Sequence, residues 1–234
     1  MMTYRPLVVT GTDTGVGKTQ AAAGLAVKLC AHGIDVAAFK PMESGVIGPV
    51  GTDAEILARA SCSGQETSDA MVYTFRTPVA PVVAAPEEGI VVETALVMER
   101  LAALRERHDL VIVEGAGGLL APLAPGWDLL ELAKETGAAC LVVVANKLGC
   151  LNHSLLTQRI LEDAGVTFLG FLFNDTGAKD PSAVTNANVL RRTSGRRIWG
   201  EMPRFDLAAH PRAQWGGALP PHFDVDAFLA ALKV

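Results

Sequence analysis

Short runs of consecutive apolar residues alternate along the chain with longer segments in which apolar and polar residues mix at helical spacing. The apolar runs predict strands buried on both faces, and the mixed segments predict helices. The predicted strands are residues 7–10, 36–40, 110–114, 140–145, 168–174 and 197–200. The predicted helices are residues 18–32, 53–60, 92–107, 128–136, 151–164, 182–192 and 225–232.

The alternation of strands and helices predicts the fold class. Apolar strands connected through helices form a doubly wound, mostly parallel α/β sheet with right-handed crossovers and helices on both faces. We expect one domain over residues 1–234. Two irregular, proline-rich stretches, residues 77–89 and 206–223, are expected to be surface loops.

Composition and charge narrow the class of protein. The chain has 234 residues, half of them hydrophobic but only 6% aromatic, which favours one large core of Ala, Val and Leu. The net charge of −5 offers no electrostatic surface for nucleic acid or an anionic membrane, so we expect neither partner. The residues before the glycine-rich turn contain too short an apolar run for a signal peptide, so we expect none, and no apolar run has the roughly 18–20 residues that cross a membrane. We therefore expect a cytoplasmic protein.

The four cysteines bear on the redox state of the protein. They are Cys30, Cys62, Cys140 and Cys150, and no two of them have C-x-x-C spacing. This pattern is typical of packed, reduced thiols in a cytosolic protein, so we expect free thiols rather than a disulfide framework.

A glycine-rich turn joins the first predicted strand to the first predicted helix. Residues 11–19 read Gly-Thr-Asp-Thr-Gly-Val-Gly-Lys-Thr. Glycines allow backbone N–H groups to approach phosphate oxygens, Lys18 neutralises the terminal phosphates, and the Thr19 hydroxyl is placed to bind Mg²⁺. The strict motif has glycine where this chain has Thr12, so an ordinary strand-to-helix turn is the alternative. We expect nucleotide binding here and P-loop NTPase topology.

Polar residues at other strand ends are the next candidates, because ligands of such sheets bind beyond the carboxyl ends of the strands. Lys40 follows the second predicted strand and is expected near the phosphates, with a solvated lysine as the alternative. Glu114 closes the third predicted strand, where a carboxylate usually reaches Mg²⁺ directly or through water; a turn cap is the alternative. For Asp53, at the start of a helix, local sequence alone favours an N-cap.

Several motifs occur in a fixed order along the chain. They are the loop 11–19, Phe-Lys-Pro at 39–41 with Ser-Gly at 44–45, Val-Glu-Gly-Ala-Gly-Gly at 113–118, Lys-Leu-Gly-Cys-Leu-Asn-His at 147–153 and Asn-Asp at 174–175. Together they resemble dethiobiotin synthase, the ATP-dependent carboxylase of biotin synthesis, from the first strand to about Pro203. The resemblance implies a doubly wound parallel sheet, ATP and Mg²⁺ as cofactors, and a homodimer with active sites at the subunit interface.

The resemblance also implies a reaction. An amine of 7,8-diaminopelargonate reacts with CO₂, which bicarbonate supplies, to give a carbamate; ATP phosphorylates the carbamate; and the second amine closes the ureido ring and releases phosphate. The catalytic residues implied are Thr14, Lys18 and Lys40, and the Mg²⁺ ligands are Thr19, Asp53 and Glu114. The nucleotide contacts implied are Asp13, Gly15, Val16, Gly17, Lys18, Thr19, Glu114, Gly117 and Asn174. Ser44 would contact the diamine or the carbamate. Backbone N–H groups of Cys150, Leu151 and Asn152 would bind the carboxylate of substrate held by the partner subunit; the alternative is that Asn152 and His153 only cap the helix.

One position departs from the family pattern. Many members carry glutamate where this chain has Gly15, a position close to the diamine. Without that carboxylate, charge complementarity to the substrate amines is weaker or comes from other residues.

Three alternatives to this interpretation exist. A ParA/MinD-type partition ATPase has a signature lysine where this chain has Asp13, and its membrane-binding members end in a basic helix, whereas residues 225–234 contain only Lys233 as a basic residue. An amidotransferase-type cobyrinate synthase needs a second, glutaminase domain. A nucleotide-binding paralogue without catalytic activity is the third alternative.

Overall fold

A six-stranded parallel sheet forms the centre of the computed structural model, which describes residues 4–48, 51–177 and 180–234. The elements in chain order are β1 Leu7–Gly11, α1 Lys18–Cys30, β2 Val36–Phe39, β3 Met42–Ser44, α2 Asp53–Ala60, β4 Tyr73–Phe75, α3 Pro81–Glu87, α4 Thr94–Arg107, β5 Leu110–Glu114, α5 Leu129–Thr136, β6 Ala139–Ala145, α6 Cys150–Asp163, β7 Thr167–Asn174, α7 Ala183–Ser194, β8 Ile198–Met202, a 3-10 helix Arg212–Ala218 and α8 Val225–Leu232.

The order of the strands decides where a site can form. It is β2-β5-β1-β6-β7-β8, and the neighbouring strands pair in parallel. β1 lies between β5 and β6, so the loop after β1 is flanked by the carboxyl ends of both neighbours. The chain leaves β1 towards β2 on one side and later reaches β6 on the other, which is the arrangement that opens a crevice for ligands.

Helices cover both faces of the sheet, as the sequence predicts. Leu7 and Val9 of β1 point into one hydrophobic cluster and Val8 points into the other, because successive strand side chains face opposite sides. The first cluster contains side chains of α1, α2, the 3-10 helix and α8. The second contains side chains of α3, α4, α5, α6 and α7. The predicted fold class is therefore confirmed.

Both stretches expected to be surface loops contain helices, so that prediction is wrong for these parts. In residues 77–89, α3 begins with Pro81, whose missing N–H is not needed at a first helical position, and it buries Ala84 and Ala85. In residues 206–223, the 3-10 helix buries Trp215 in the cluster that contains α1. Burial of apolar side chains decides these conformations, and the frequency of proline in the two stretches does not reveal it.

The 3-10 helix also supports the end of α2. The guanidinium group of Arg212 donates to the carbonyl oxygens of Ala60 and Ser61, at 3.0 and 2.8 Å. Carbonyl groups at the end of a helix have no partner within the helix, so Arg212 satisfies groups that otherwise need water.

Cys30 and Cys62 form a disulfide, which corrects the expectation that all four cysteines are free thiols. Cys30 ends α1 and Cys62 lies two residues beyond α2. Because these helices pack side by side, the fold brings the two Cα atoms to 5.9 Å although 32 positions separate them in sequence. Cys140 and Cys150 are free and buried as expected, and burial raises the pKa of the Cys140 thiol to about 12.

β3 and β4 form a short parallel pair outside the main sheet, and neither strand is predicted from the sequence. Strands of three residues are too short for a hydrophobic period to identify them.

Among the helices of the described residues, none has the length and apolar character that crossing a bilayer requires.

Candidate active site

The loop between β1 and α1 has the conformation that its glycines predict. Gly15 and Gly17 have φ values of 71° and 96°, in the left-handed region that favours glycine. A Cβ atom on Gly17 would also overlap the side-chain amide of Asn174. Gly17 precedes α1 and has no side chain with which to cap it, so the N–H groups at the start of α1 are available to an anion.

Lys18, the first residue of α1, folds back over this loop. Its side chain is buried, and its Nζ donates to the backbone oxygen of Asp13 at 3.0 Å. Burial lowers the pKa of Lys18, while the charge of Glu114 opposes that shift. The ammonium group is thereby held beside the start of a helix that favours negative charge.

Four side chains from four different elements meet next to the loop. Lys40 follows β2, and its Nζ lies 2.6 Å from Glu114 Oε1 at the end of β5 and 2.8 Å from Asp53 Oδ2 at the start of α2. The Thr19 hydroxyl of α1 lies 2.9 Å from both carboxylates. We call Thr19, Lys40, Asp53 and Glu114 the polar cluster.

Burial makes the charges of the polar cluster strongly dependent on each other. Lys40 and Glu114 have exposed fractions of 3% and 1%. Desolvation lowers the pKa of Lys40, but the charges of Glu114 and Asp53 outweigh it and the pKa is raised. Burial raises the pKa of Glu114 and is opposed by the charge of Lys40. Burial also acts to raise the pKa of Asp53, but the charge and hydrogen bond of Lys40, together with the hydrogen bond of Thr19, outweigh it and the pKa is lowered. The ammonium group thus stabilises two carboxylates at once.

The structure excludes the simpler alternatives for three of these residues. The N-cap of α2 is Thr52, whose hydroxyl accepts from the N–H of Glu55 at 3.1 Å, so Asp53 turns into the polar cluster and does not cap its own helix. Lys40 is not a solvated strand-end lysine, since it is buried. Glu114 pairs with Lys40 and Thr19, which an ordinary turn cap does not do.

The polar cluster lies in the wall of a cavity of about 620 Å³. This cavity collects most of the residues that the sequence predicts as site residues. Those that line it are Thr14, Gly15, Gly17, Lys18, Thr19, Lys40, Ser44, Asp53, Glu114 and Gly117. The remaining lining residues are Glu43 and the mostly apolar set Pro78, Val79, Ala80, Pro81, Ala116 and Ala121. The cavity is therefore charged in one part and apolar in another.

Three predicted nucleotide contacts lie beside the cavity and not in its wall. The Asp13 carboxylate accepts from the N–H of Thr14 at 2.7 Å, and the Val16 side chain is buried. Asn174, at the end of β7, is buried, and its Nδ2 donates to the backbone oxygen of Val16 at 2.9 Å. Its Oδ1 is buried and has no hydrogen-bond partner among the described residues.

The three residues predicted to bind the substrate carboxylate do not line this cavity. Cys150, Leu151 and Asn152 begin α6 behind Gly149, which offers no side chain as a cap. The N–H of Cys150 donates to the backbone oxygen of Lys147 at 3.2 Å. Within the described part of the chain, the N–H groups of Leu151 and Asn152 have no acceptor. Two of the three N–H groups are thus available.

Glu43 is a cavity residue that the sequence analysis missed. Its two carboxylate oxygens accept from the N–H groups of Asp53 and Ala54, at 2.8 and 3.1 Å, and burial raises its pKa. The only sequence signal is its position between two predicted site residues, Lys40 and Ser44. The apolar cavity residues at 78–81 were assigned to a loop and gave no signal at all.

A parallel sheet with a glycine loop, a following Lys-Thr pair and two facing carboxylates defines the class of P-loop nucleotide-binding proteins. Residues 5–212 match the family described as AAA domain. The fold is also similar to that of a ParA family ATPase from Chlorobium tepidum TLS, with a TM-score of 0.56 over 93% of this chain and 91% of that chain. At 17% identity this similarity concerns the fold alone.

Sequence similarity identifies the family within that class. The chain is 43% identical over 212 residues to the ATP-dependent dethiobiotin synthetase BioD of Anaeromyxobacter dehalogenans (strain 2CP-C). This alignment covers 89% of this chain and 95% of the relative. It is 34% identical over 199 residues to ATP-dependent dethiobiotin synthetase BioD 1 of Escherichia coli (strain K12), over 83% of this chain and 88% of the relative. The chain belongs to the family of ATP-dependent dethiobiotin synthetases, and it is an enzyme of the ligase class. The resemblance of its motifs is confirmed.

Proposed function

We propose that this protein converts 7,8-diaminopelargonate, CO₂ and ATP to dethiobiotin, ADP and phosphate. The observation that carries the proposal is the buried ammonium group of Lys40, 2.6 Å from Glu114 and beside the glycine loop. Family membership supports the overall reaction, and the cavity supports its separate steps.

The reaction brings two anionic groups together. An amine nitrogen attacks CO₂ and loses a proton, which gives a carbamate. A carbamate oxygen then attacks the γ-phosphorus of ATP, so that ADP leaves and a carbamic-phosphoric anhydride forms. The second amine attacks the carbonyl carbon of the anhydride, closes the ring and expels phosphate. Cations are needed along the path of the phosphoryl group, because charge accumulates there in the transition state.

The residues of the cavity are suited to these steps. Lys18 and the free N–H groups at the start of α1 would hold the β- and γ-phosphates. Lys40 would stabilise charge as the phosphoryl group moves to the carbamate. Thr14 lies near Gly117 in the cavity wall and would contact the carbamate. Beside the cavity, Asn174 Oδ1 has no hydrogen-bond partner in the described structure and is an acceptor suited to the amino group of adenine.

The polar cluster fits a magnesium ion. Thr19, Asp53 and Glu114 offer hard oxygen ligands, and Glu114 Oε2 is buried without a partner in the described structure. No group of three or more His, Cys, Asp or Glu side chains among the described residues is arranged to hold a metal. The ion would therefore depend on the Thr19 hydroxyl and on nucleotide phosphates. When bound, Mg²⁺ supplies positive charge to the phosphates.

The apolar part of the cavity suits the hydrocarbon chain of the diamine. Pro78, Val79 and Pro81 offer apolar surface there, and the buried Ser44 hydroxyl, unpaired in the described structure, is free to bind an amine or the carbamate. A Cβ atom at Gly15 would meet nothing within 4 Å, so the space that many relatives fill with glutamate is open.

We infer a homodimer from the surface around α6. Leu148 and Leu156 are 78% and 58% exposed, and Leu156 lines a second cavity of about 280 Å³ with Leu119, Leu120 and Ile160. A second copy of the chain would cover this apolar surface. It would also bring the free N–H groups of Leu151 and Asn152 to the carboxylate of a substrate bound in its partner.

The decisive experiment supplies the purified protein with the diamine, ¹⁴C-bicarbonate and MgATP, and measures labelled dethiobiotin and phosphate together. We expect equal amounts of both products, and no labelled product when the diamine or ATP is omitted. The Lys40→Gln variant is the matched control. It keeps the glycine loop intact, and we expect it to form both products far more slowly. ATP hydrolysis without labelled product would refute the proposal and favour a nucleotide-binding paralogue.

A further inference from the structure

The start of α2 is held by a residue outside the helix. Asp53 is the first residue of α2, and its N–H donates to Glu43 Oε1 at 2.8 Å. The N–H of Ala54 donates to Glu43 Oε2 at 3.1 Å. These two N–H groups have no acceptor inside the helix, so a single carboxylate satisfies both. A negative charge at this end is also favourable to the helix dipole.

The same residue, Asp53, supplies a carboxylate to the polar cluster. Its oxygens lie 2.9 Å from the Thr19 hydroxyl and 2.8 Å from Lys40 Nζ. Glu43 therefore holds the backbone of Asp53, while the Asp53 side chain contacts Thr19 and Lys40. A shift of this backbone would move the carboxylate away from both partners.

Glu43 is fixed in turn by its strand. It is the central residue of β3, which pairs in parallel with β4, and its neighbours Met42 and Ser44 pair with Tyr73 and Phe75. The short strand pair thus carries a carboxylate to a defined place at the cavity wall.

We propose that Glu43 is a positioning residue that, by binding the N–H groups of Asp53 and Ala54, sets the Asp53 carboxylate for Mg²⁺. This inference rests on the magnesium site of the proposed function. Groups that orient metal ligands typically contribute about 10- to 100-fold to metal affinity. Because Glu43 lines the cavity, direct contact with the diamine is the competing explanation.

The test measures how ADP binding depends on Mg²⁺ concentration, and not turnover. Binding of ADP is followed by calorimetry at a series of Mg²⁺ concentrations, for the wild type and for Glu43→Ala. We expect the Mg²⁺ concentration that gives half-maximal ADP affinity to rise about 10-fold in the variant. Glu43→Gln keeps one acceptor oxygen, so it should recover part of this loss.

Thr52→Ala is the matched control. It removes a hydrogen bond at the same helix start, from the N–H of Glu55, but leaves both bonds of Glu43 in place. We expect its thermal stability to fall while its Mg²⁺ dependence changes less than twofold. An equal rise in both variants would show that only helix stability matters and would overturn the inference.

The remaining outcomes separate this inference from the proposed function. Wild-type Mg²⁺ dependence in Glu43→Ala, with only a raised KM for the diamine, would assign Glu43 to substrate binding and overturn the inference. A wild type that makes no dethiobiotin, combined with the expected shift in Mg²⁺ dependence, would overturn the proposed function and support the positioning role of Glu43.

Discussion

The ammonium group of Lys40 uses all three of its N–H donors. They point to Asp53 Oδ2, Glu114 Oε1 and the backbone oxygen of Gly115, at 2.8, 2.6 and 3.2 Å. Removing one partner of a buried ion pair typically destabilises a protein by about 3–5 kcal/mol, because the other charge is left unpaired. A useful substitution at this position must therefore keep some donors, and glutamine keeps two.

For Lys40→Gln we expect kcat for dethiobiotin formation to fall by roughly 10²–10³, as when a group that stabilises transition-state charge is lost. The KM for ATP should change less than threefold, because the phosphates are held elsewhere, by Lys18 and the start of α1. Steady-state kinetics with each substrate varied in turn measure both quantities.

Lys18→Ala serves as the comparison, since it removes the cation of the glycine loop itself and should abolish turnover. A Lys40→Gln variant with a raised KM for ATP and an unchanged kcat would contradict the assignment, because Lys40 would then act in ground-state binding.

Residues that follow long apolar runs could be predicted from the sequence. Lys40 and Glu114 end strands whose burial is evident from composition, and the glycine loop has a recognisable order. Glu43 could not be predicted in the same way. Its partners are backbone N–H groups ten and eleven positions later, and only the fold brings that segment back to β3.

At the scale of the elements, the six strands of the main sheet and the helices between them follow from the hydrophobic pattern. Boundaries shift by at most two residues, as for β8, which is Ile198–Met202 in the structure and residues 197–200 in the prediction. The pattern fails where an element is short or starts at proline, as in β3, β4 and α3. Tertiary contacts stabilise those elements, and such contacts cannot be predicted from the local hydrophobic pattern.

The disulfide between α1 and α2 gives a prediction at this scale. Cys30→Ser should lower the free energy of unfolding by roughly 3–4 kcal/mol, the chain-entropy value for residues 32 positions apart. Urea unfolding followed by circular dichroism measures this difference.

Reduced wild-type protein is the control. Its unfolding midpoint in urea should equal that of Cys30→Ser, because both proteins lack the same crosslink. Equal midpoints for oxidised wild type and variant, or four free thiols by titration of the denatured protein, would argue against the disulfide.

At the scale of the whole molecule, the inferred dimer depends on the apolar surface of α6. Leu156→Glu places a charge in that surface and should give a monomer that binds ATP but forms dethiobiotin at least 10-fold more slowly. The reason is that the partner no longer brings its N–H groups to the substrate carboxylate. Size-exclusion chromatography with light scattering, together with the assay above, measures both properties.

Val91→Glu is the matched control, because Val91 is 79% exposed and does not line the cavity of Leu156. It should remain dimeric and active. A monomeric Leu156→Glu variant with full activity would show that each chain contains a complete site.

The contact between Arg212 and the end of α2 has a consequence for the integrity of the site. α2 is only eight residues long, too short to persist without tertiary support, and its first residue is Asp53. Arg212 belongs to a segment more than 150 positions further along the chain. Proteolytic nicking near residue 212 would therefore loosen a carboxylate at the cavity without cutting any residue that lines it.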